Sequence, residues 1–382
     1  MPGQVITTNT TNTTTTTQTT TLCKRCNTLE AALTVRNDAL CRDCFTNYVH
    51  TKIVKRMEAF RTRHSAHGEE PLLLLPISLG LSSLTLLQIL HRHRQSQRHR
   101  TGRTGFNLRL FNVAMPGSDS VLEGKKLDAV RRAYPHYSLT TLPLDTVFLP
   151  SSCHDSLSRN EKGAAQKALA RLLESTPSAT SASHVLSLLR TRLIVAFATS
   201  NTCEGILWGS STTKLAETIL AETAKGHGFS LPWAVTDGLS PYGLPFFYPV
   251  RDVLKKELIS RLQLDENAAL KEMVIQEGVT KAPPSSKNTS IDALVKQYFE
   301  SVEEHYPSII SNVVRTTGKL EQARWNGAQR CKLCQLPVDE ALLGINAWGG
   351  HQETHQEAGQ RDAGLCYGCT RSLPTDAIPF LP

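Results

Sequence analysis

Pro71-Leu-Leu-Leu-Leu-Pro-Ile-Ser-Leu-Gly-Leu-Ser-Ser-Leu-Thr-Leu-Leu-Gln-Ile-Leu90 reads as a buried strand, a tight loop and a helix. The unbroken apolar run Leu72 to Leu75 suits a parallel strand covered on both faces, where no polar alternation is needed. Pro76 closes it, the loop Ser78-Leu79-Gly80-Leu81 follows, and Ser82 and Ser83 are placed to cap the helix that begins there. Leu84, Leu86, Leu87, Ile89 and Leu90 cover more than one helical face, so the helix is expected against a sheet. A helix N-terminus at the end of a parallel strand aims free backbone N–H groups and the positive end of the helix dipole at the loop, which favours an anion.

Outward from this stretch, Phe106 to Ala114 reads as a strand, Leu122 to Ala133 as a helix and Tyr137 to Leu142 as a third strand. Alternating strands and helices predict an α/β fold with a doubly wound parallel sheet. Residues 151–182 are rich in Ser, Ala and Thr and read as a flexible insertion with a helical piece from Lys162 to Leu173. A helix from Ser183 to Thr199 and an apolar strand Gly205 to Trp208 follow. Phe246, Phe247, Tyr248, Val250 and Val253 form an apolar strand leading into a helix from Arg251 to Leu264, and such an aromatic cluster belongs to a core. Two further helices are expected at Ile291 to Glu304 and Ile309 to Arg324. The implied units are a Thr-rich tail at 1–21, a cysteine module with a basic helix at 22–64, an α/β domain at 65–264, a helical segment at 265–330 and a second cysteine module at 331–382.

The tail is threonine interrupted only by Asn9, Asn12 and Gln18 from residue 7 to 21, which buries nothing and resembles no leader peptide. The uncharged run from Leu72 to Leu90 has the length of a membrane span, but Pro76, Gly80, Gln88 and its hydroxyl residues argue against one. No membrane association and a cytoplasmic location are therefore expected.

Eight of the ten cysteines fall in four CxxC pairs, leaving Cys153 and Cys203 alone as small apolar fillers. In a chain without a secretory signal this is metal spacing and not a disulfide framework. Cys23 and Cys26 with Cys41 and Cys44, fourteen residues on, make one four-cysteine site. Cys331 and Cys334 with Cys366 and Cys369, across 31 residues, make a second. Two structural zinc ions are expected, because four thiolates leave no open position for water. His351 and His355 lie inside the longer loop as alternative ligands, and with the tetrahedron already complete they read as polar surface.

The excess of 42 basic over 34 acidic residues suits a polyanionic partner without requiring one. Phe45 to His64 reads as an amphipathic helix carrying Lys52, Lys55 and Arg56, either as a solvated face or as phosphate contacts. Residues 91–109 hold six Arg, three His and no acid, the pattern of a mobile basic loop. If the protein binds RNA, Arg92, Arg94, Arg98, Arg100 and Arg103 are its first candidate contacts.

Two motifs carry a family resemblance. Ser78-Leu-Gly-Leu-Ser-Ser83 is similar to the pyrophosphate loop Ser-Gly-Gly-x-Asp-Ser of ATP-dependent tRNA-thiolating enzymes, with the first glycine and the aspartate gone. A Leu where backbone should approach the pyrophosphate and a Ser without a carboxylate remove the chemistry. Gly209 to Thr218 is similar to their Gly-His-Asn-x-Asp-Asp-x-Ala-Glu-Thr. Gly209, Ala216, Glu217 and Thr218 match, whereas Ser210, Ser211, Thr213 and Lys214 replace His, Asn and the two Asp. The stretch from Cys23 to Cys44, Leu215 to Trp233, Pro245 to Leu254 and Leu365 to Cys369 narrow the resemblance to the non-catalytic second subunits of the cytosolic tRNA wobble-uridine 2-thiolation complex.

The resemblance implies a pyrophosphate-loop fold, no bound ATP, no catalytic residue, and a heterodimer with a catalytic subunit that adenylates and thiolates uridine 34 of tRNAs for Lys, Glu and Gln. Sulfur would come from a ubiquitin-related modifier as a thiocarboxylate. Two other readings stand beside it: the chain is itself an ATP-dependent tRNA sulfurtransferase, or it is a zinc scaffold for protein conjugation of the ubiquitin-related modifier.

Overall fold

A computed structural model describes residues 21–35, 37–64, 70–149, 159–265, 268–275, 289–321, 329–338, 344 and 364–382. The chain divides into two compact units, 1–48 and 49–382. In the first, β1 (Leu33–Val35) and β2 (Asp38–Leu40) form an antiparallel pair, and α1 (Arg42–His64) begins directly after them. Among the described residues Cys23, Val35, Leu40, Cys41 and Phe45 are its buried apolar side chains, too few to hold the unit without a staple.

The second unit is built on a six-stranded sheet. Its strands are β3 (Leu72–Pro76), β4 (Asn107–Ala114), β5 (Leu139–Pro143), β6 (Gly205–Leu207), β7 (Gly238–Leu239) and β8 (Pro245–Phe247), in the order β5-β4-β3-β6-β8-β7. All pairings are parallel except β7 with β8. The expected doubly wound α/β sheet is therefore present, with β3 at its centre. Leu73, Leu74 and Leu75 are fully buried. Leu74 enters the main core with Phe111 and Ile206, and by strand alternation Leu73 and Leu75 serve the opposite face.

Helices cover the sheet in two sets. α2 (Leu81–Thr101) packs against α8 (Lys255–Leu264) and α9 (Ala268–Met273), and α3 (Ser120–Ala133) also packs on α9. α5 (Ala179–Ser200) packs against β4, β6 and α12 (Tyr367–Ser372), while α6 (Thr212–Ala224) meets the short α7 (Leu231–Val235), α10 (Ile291–His305) and α11 (Pro307–Thr317). No described helix is long and apolar enough to cross a membrane.

Several boundaries differ from the sequence reading. The basic run is not a loop: α2 continues through it to Thr101, where Gly102 adopts a left-handed φ of 70° and its N–H returns to the Arg98 carbonyl. The helix starts one residue before Ser82, with Gly80 as N-cap and no side-chain cap; the Ser83 hydroxyl instead donates to the Gly80 carbonyl. The helical piece expected at Lys162 to Leu173 is present as α4 (Arg159–Glu174), but it is packed and not part of a flexible insertion, since its Ala165, Leu169 and Leu172 are buried. Small residues lowered the apparent hydrophobicity there without lowering the helix's amphipathicity. The second of the late helices stops at Thr317 and not near Arg324. Cys153, His351, His355, Pro283, Pro284 and the tail up to residue 20 lie outside the described residues.

Candidate nucleotide crevice, metal centres and basic helix

The strand order reverses between β3 and β6, so the crevice of a doubly wound sheet lies beyond the carboxyl ends of these two strands. The loops following them are the two motifs singled out in the sequence, and they touch. A Cβ placed on Gly209 would stand 2.7 Å from the Ser83 Cα, so a side chain there would force the loops apart. Leu79 holds a left-handed φ of 59°, and its side chain is 1% exposed. Its carbonyl accepts the Ile275 N–H at 2.9 Å, closing the loop from outside.

On the other loop the hydroxyls are committed. Ser211 caps α6 by accepting the Lys214 N–H, and the Thr212 hydroxyl donates to the Arg251 carbonyl at 2.7 Å. The Thr213 hydroxyl accepts the Lys255 N–H at 3.0 Å, and the Lys214 ammonium reaches Glu217 at 2.9 Å. These groups knit the end of β6 to the segment leading into α8. Gly80 and Gly209 keep the backbone path of a phosphate loop, while no carboxylate of either motif faces the crevice at the positions where the resemblance expects one.

The cysteines assemble as two clusters. The Sγ atoms of Cys23, Cys26, Cys41 and Cys44 lie within 4.8 Å of one another. The Cys26 thiol is drawn down to about 6, foremost by the Thr28 side chain and then by backbone amides, whereas hydrogen bonding to Cys41 pushes Cys44 up to about 12. Thiols this close cannot all ionise unless a cation compensates them, which is the environment a divalent ion supplies.

In the second unit, β9 (Gln329–Arg330) and β10 (Pro337–Val338) flank Cys331 and Cys334, and α12 begins between Cys366 and Cys369. All four are at most 1% exposed. Cys334 and Cys366 stand 3.9 Å apart, and the Cys366 N–H donates to the Cys331 sulfur at 3.3 Å. Hydrogen bonds from the neighbouring cysteines hold the Cys366 thiol well below its ordinary value, while burial drives Cys334 and Cys369 well above theirs. Both predicted cysteine sets are thus brought together, and both could hold a metal ion. A fifth donor sits at the second: His227 has a ligand atom within 4.8 Å of the sulfurs of Cys334, Cys366 and Cys369. Cys203 stands apart, buried, its thiol raised first by desolvation.

A family profile described as cytoplasmic tRNA 2-thiolation protein 2 matches residues 290–371, which span α10, α11 and the second cysteine cluster. Over nearly the whole chain, proteins of that name from Pyrenophora tritici-repentis and Phaeosphaeria nodorum are 46% and 49% identical, each alignment covering 92% of this chain and 94% of the relative. The chain belongs to the cytoplasmic tRNA 2-thiolation protein 2 family. The fold is also that of a U34-tRNA thiolase, NcsA from Methanococcus maripaludis, with a TM-score of 0.54 at 13% identity, covering 82% of this chain and 95% of that one. That protein was solved with a [4Fe-4S] cluster.

Within this family member the predicted basic residues separate into two groups. Arg56 is turned inward: its guanidinium pairs with Asp237 at 2.8 Å and Asp252 at 2.7 Å. Lys52 donates to the Asp252 carbonyl at 2.9 Å, while Lys55 is exposed. Arg94 lies along the Phe106 and Tyr137 rings and donates to Asn107 at 2.7 Å. Arg92, Arg98, Arg100 and Arg103 are exposed along the end of α2 and just beyond it. Burial lowers the pKa of His50 and His91, with Arg261 and Arg92 adding to the effect at His50 and His136, Arg94 and Arg92 at His91, which favours the neutral rings.

Sequence reasoning missed the buried polar centre formed by His184, Glu222, Lys225, His227 and Asp292. Glu222 takes Lys225 on one oxygen at 2.7 Å and His227 Nδ1 on the other at 2.9 Å. Burial alone would raise its carboxyl, but the neighbouring His184 and His227 rings, 3.7 Å and 2.9 Å away, hold it well below the usual range. The available signal was His227 itself, a histidine between Gly226 and Gly228 at the end of α6.

Proposed function

We propose that the chain is the non-catalytic subunit of a heterodimeric complex that 2-thiolates wobble uridine 34 in cytosolic tRNAs for Lys, Glu and Gln. The observation carrying this reading is the state of the crevice at the switch point. Its loop glycine is replaced by a Leu whose side chain is buried, and the hydroxyls of Thr212 and Thr213 are spent on the backbone at 251–255. A nucleoside triphosphate needs a close backbone approach and a carboxylate-held metal there, and neither requirement is met by these residues. Adenylation and sulfur transfer then belong to a catalytic partner, with sulfur arriving as the thiocarboxylate of a ubiquitin-related modifier. This chain contributes the dimer surface, two structural zinc centres and a basic helix for the tRNA backbone, acting in the cytoplasm. Shape and phosphate recognition of folded RNA suits a rigid row of arginines better than a base-reading pocket.

Titration of the full chain with ATP and magnesium, alone and with the catalytic partner, tests the reading. No ATP binding by the chain alone, with tRNA thiolation restored in the mixture, is the expected result. Micromolar ATP binding and tRNA activation by the chain alone would make it a sulfurtransferase in its own right. Salt-insensitive behaviour with tRNA, together with continued support of protein conjugation, would favour the scaffold reading instead.

A further inference from the structure

The carboxyl-terminal cysteine cluster is not self-contained. Its donor set suits a zinc-like ion, being thiol-rich, fully buried and joined by an imidazole. His227 comes from the α/β body, just beyond α6, and is 2% exposed. Its Nδ1 lies 2.9 Å from Glu222 Oε2, and an ionised carboxylate can only accept, so Nδ1 carries the proton. That leaves the Nε2 lone pair, and among the described residues this buried atom has no conventional hydrogen-bond partner, while the Cys366 side chain lies against the same ring. An imidazole fixed by a carboxylate through one nitrogen, with the other aimed at thiols, has the arrangement of a carboxylate–histidine–metal triad.

The backbone is shaped for this approach. Gly226 has a φ of +79°, and a Cβ there would meet the Tyr367 ring at 2.5 Å. A Cβ on Gly368, inside the second CxxC, would lie 3.1 Å from both the Gly226 carbonyl and the His227 Cβ. Two glycines therefore let the His227 turn and the knuckle interlock. His184 supports the same joint: its Nδ1 is 2.7 Å from the Ser372 hydroxyl, and its ring meets that of His227 edge-on at 5.2 Å. The trio His184, Glu222 and His227 is a poorer metal site, because Glu222 is neutralised by Lys225 at Oε1 and its Oε2 accepts the proton on His227 Nδ1, which leaves that nitrogen no lone pair for an ion.

We propose that His227 is a ligand of the metal ion held by Cys334, Cys366 and Cys369, making this a Cys3His centre shared between the α/β body and the carboxyl-terminal knuckle. Cys331 stands outside this group of four mutually close donors, with its sulfur accepting the Cys366 N–H at 3.3 Å. Glu222 is a positioning residue for the His227 ring. The bound ion acts as a staple, fastening residues 364–382 to the body.

Cobalt(II) loading of the full chain tests this, in a background where Cys41→Ser and Cys44→Ser remove the first site. The visible spectrum separates three-sulfur, one-nitrogen coordination from four-sulfur coordination without reference to activity. The expected result is one cobalt per chain with a three-sulfur, one-nitrogen spectrum that survives Cys331→Ala. His227→Cys in the Cys331→Ala chain should convert it to an all-sulfur spectrum. Glu222→Gln should weaken cobalt affinity by about 10- to 100-fold, as loss of an outer-shell partner does. An all-sulfur spectrum in the parent that is unchanged in His227→Gln and lost in Cys331→Ala would overturn the proposal. His227→Gln keeps a polar side chain at the joint, and circular dichroism of each variant confirms that the spectra report on folded protein.

Discussion

Leu79 and Gly209 pack the two loops at the ends of β3 and β6 closely together. Leu79 accepts a left-handed backbone, costly for a bulky residue by roughly 1–2 kcal/mol, and recovers more than this by burying its side chain. Leu79→Ala is expected to lower stability by about 2–4 kcal/mol in urea unfolding without creating ATP affinity. Gly209 permits the close approach to Ser83, so Gly209→Ala should cost about 1–3 kcal/mol as the two loops are driven apart. Gly80 gives the contrast. Its φ is −79°, and the nearest atom to an added Cβ is the Ser78 hydroxyl at 3.4 Å, so Gly80→Ala should leave the urea midpoint almost unchanged. The glycine that the first motif retains is therefore dispensable for folding. The departures from the pyrophosphate-loop pattern, a Leu for a Gly and a Ser for an Asp, were legible from residue types alone. The packing use made of these positions was not, because the atoms that meet Leu79 and Gly209 come from segments far away along the chain.

At the scale of elements, α1 and α2 carry similar basic sequences and use them differently. Along α1, Arg56 bridges Asp237 and Asp252, and Asp237 also accepts the Tyr248 N–H, so the guanidinium fastens the helix to the segment after β8. Arg56→Ala should destabilise the protein by about 1–2 kcal/mol and leave the salt dependence of tRNA binding unaltered. The Asp252 carboxyl is pushed up by burial but pulled below its usual value by Arg56, a depressed carboxylate. Its stabilisation is present above the unfolded carboxylate pKa of about 4 and is lost as pH falls through the lower folded value. The stability gap between wild type and Arg56→Ala should accordingly close below about pH 4, read from urea midpoints across pH. Arg92, Arg98 and Arg100 of α2 are exposed. Replacing all three with Ala should preserve the circular dichroism and flatten the salt slope of tRNA binding by about 2–3, near one for each phosphate left without its arginine. Charge composition marked both helices as basic. It could not rank them, because the acids that neutralise Arg56 of α1 lie 181 and 196 residues further along, while 91–109 contains no acid at all. Helical continuation of α2 was hidden for the same reason: self-repelling charge suggests a loop, but an apolar first half and a glycine stop hold the helix.

Across the whole molecule, the two cysteine clusters serve units of unlike kind. Their existence was the most legible feature of the sequence, since CxxC spacing encodes a chelate locally. The contribution of His227 was not, because it depends on a tertiary approach that only the fold supplies. In the first unit the cluster stands in for a core: few other side chains are buried there, so a chain with Cys23→Ser and Cys26→Ser should lose that unit's structure. In the second unit the cluster is part of the core. Cys331, Cys334, Cys366 and Cys369 belong to the same buried apolar group as Phe111, Ile206 and Trp233, and Leu365, Leu373 and Ala377 follow them into it. Arg192 of α5 secures the end of the chain by donating to the Pro382 carbonyl at 2.7 Å. Removing metal from this centre leaves thiols and an imidazole buried without a cation, a cost borne by the sheet domain itself. A zinc-selective chelator should therefore act in two ways. One appears as unfolding of residues 21–48 in hydrogen exchange, with protection of β3 and β4 retained. The other accompanies release of the second ion and lowers the thermal midpoint of the sheet domain by several degrees, as expected for a destabilisation of about 2–4 kcal/mol in a domain this large. The Cys23→Ser, Cys26→Ser chain should keep the midpoint of β3 and β4, and a Cys366→Ser, Cys369→Ser chain should not. Equal midpoints in these two variants would show that the carboxyl-terminal cluster is an appendage and not a member of the core.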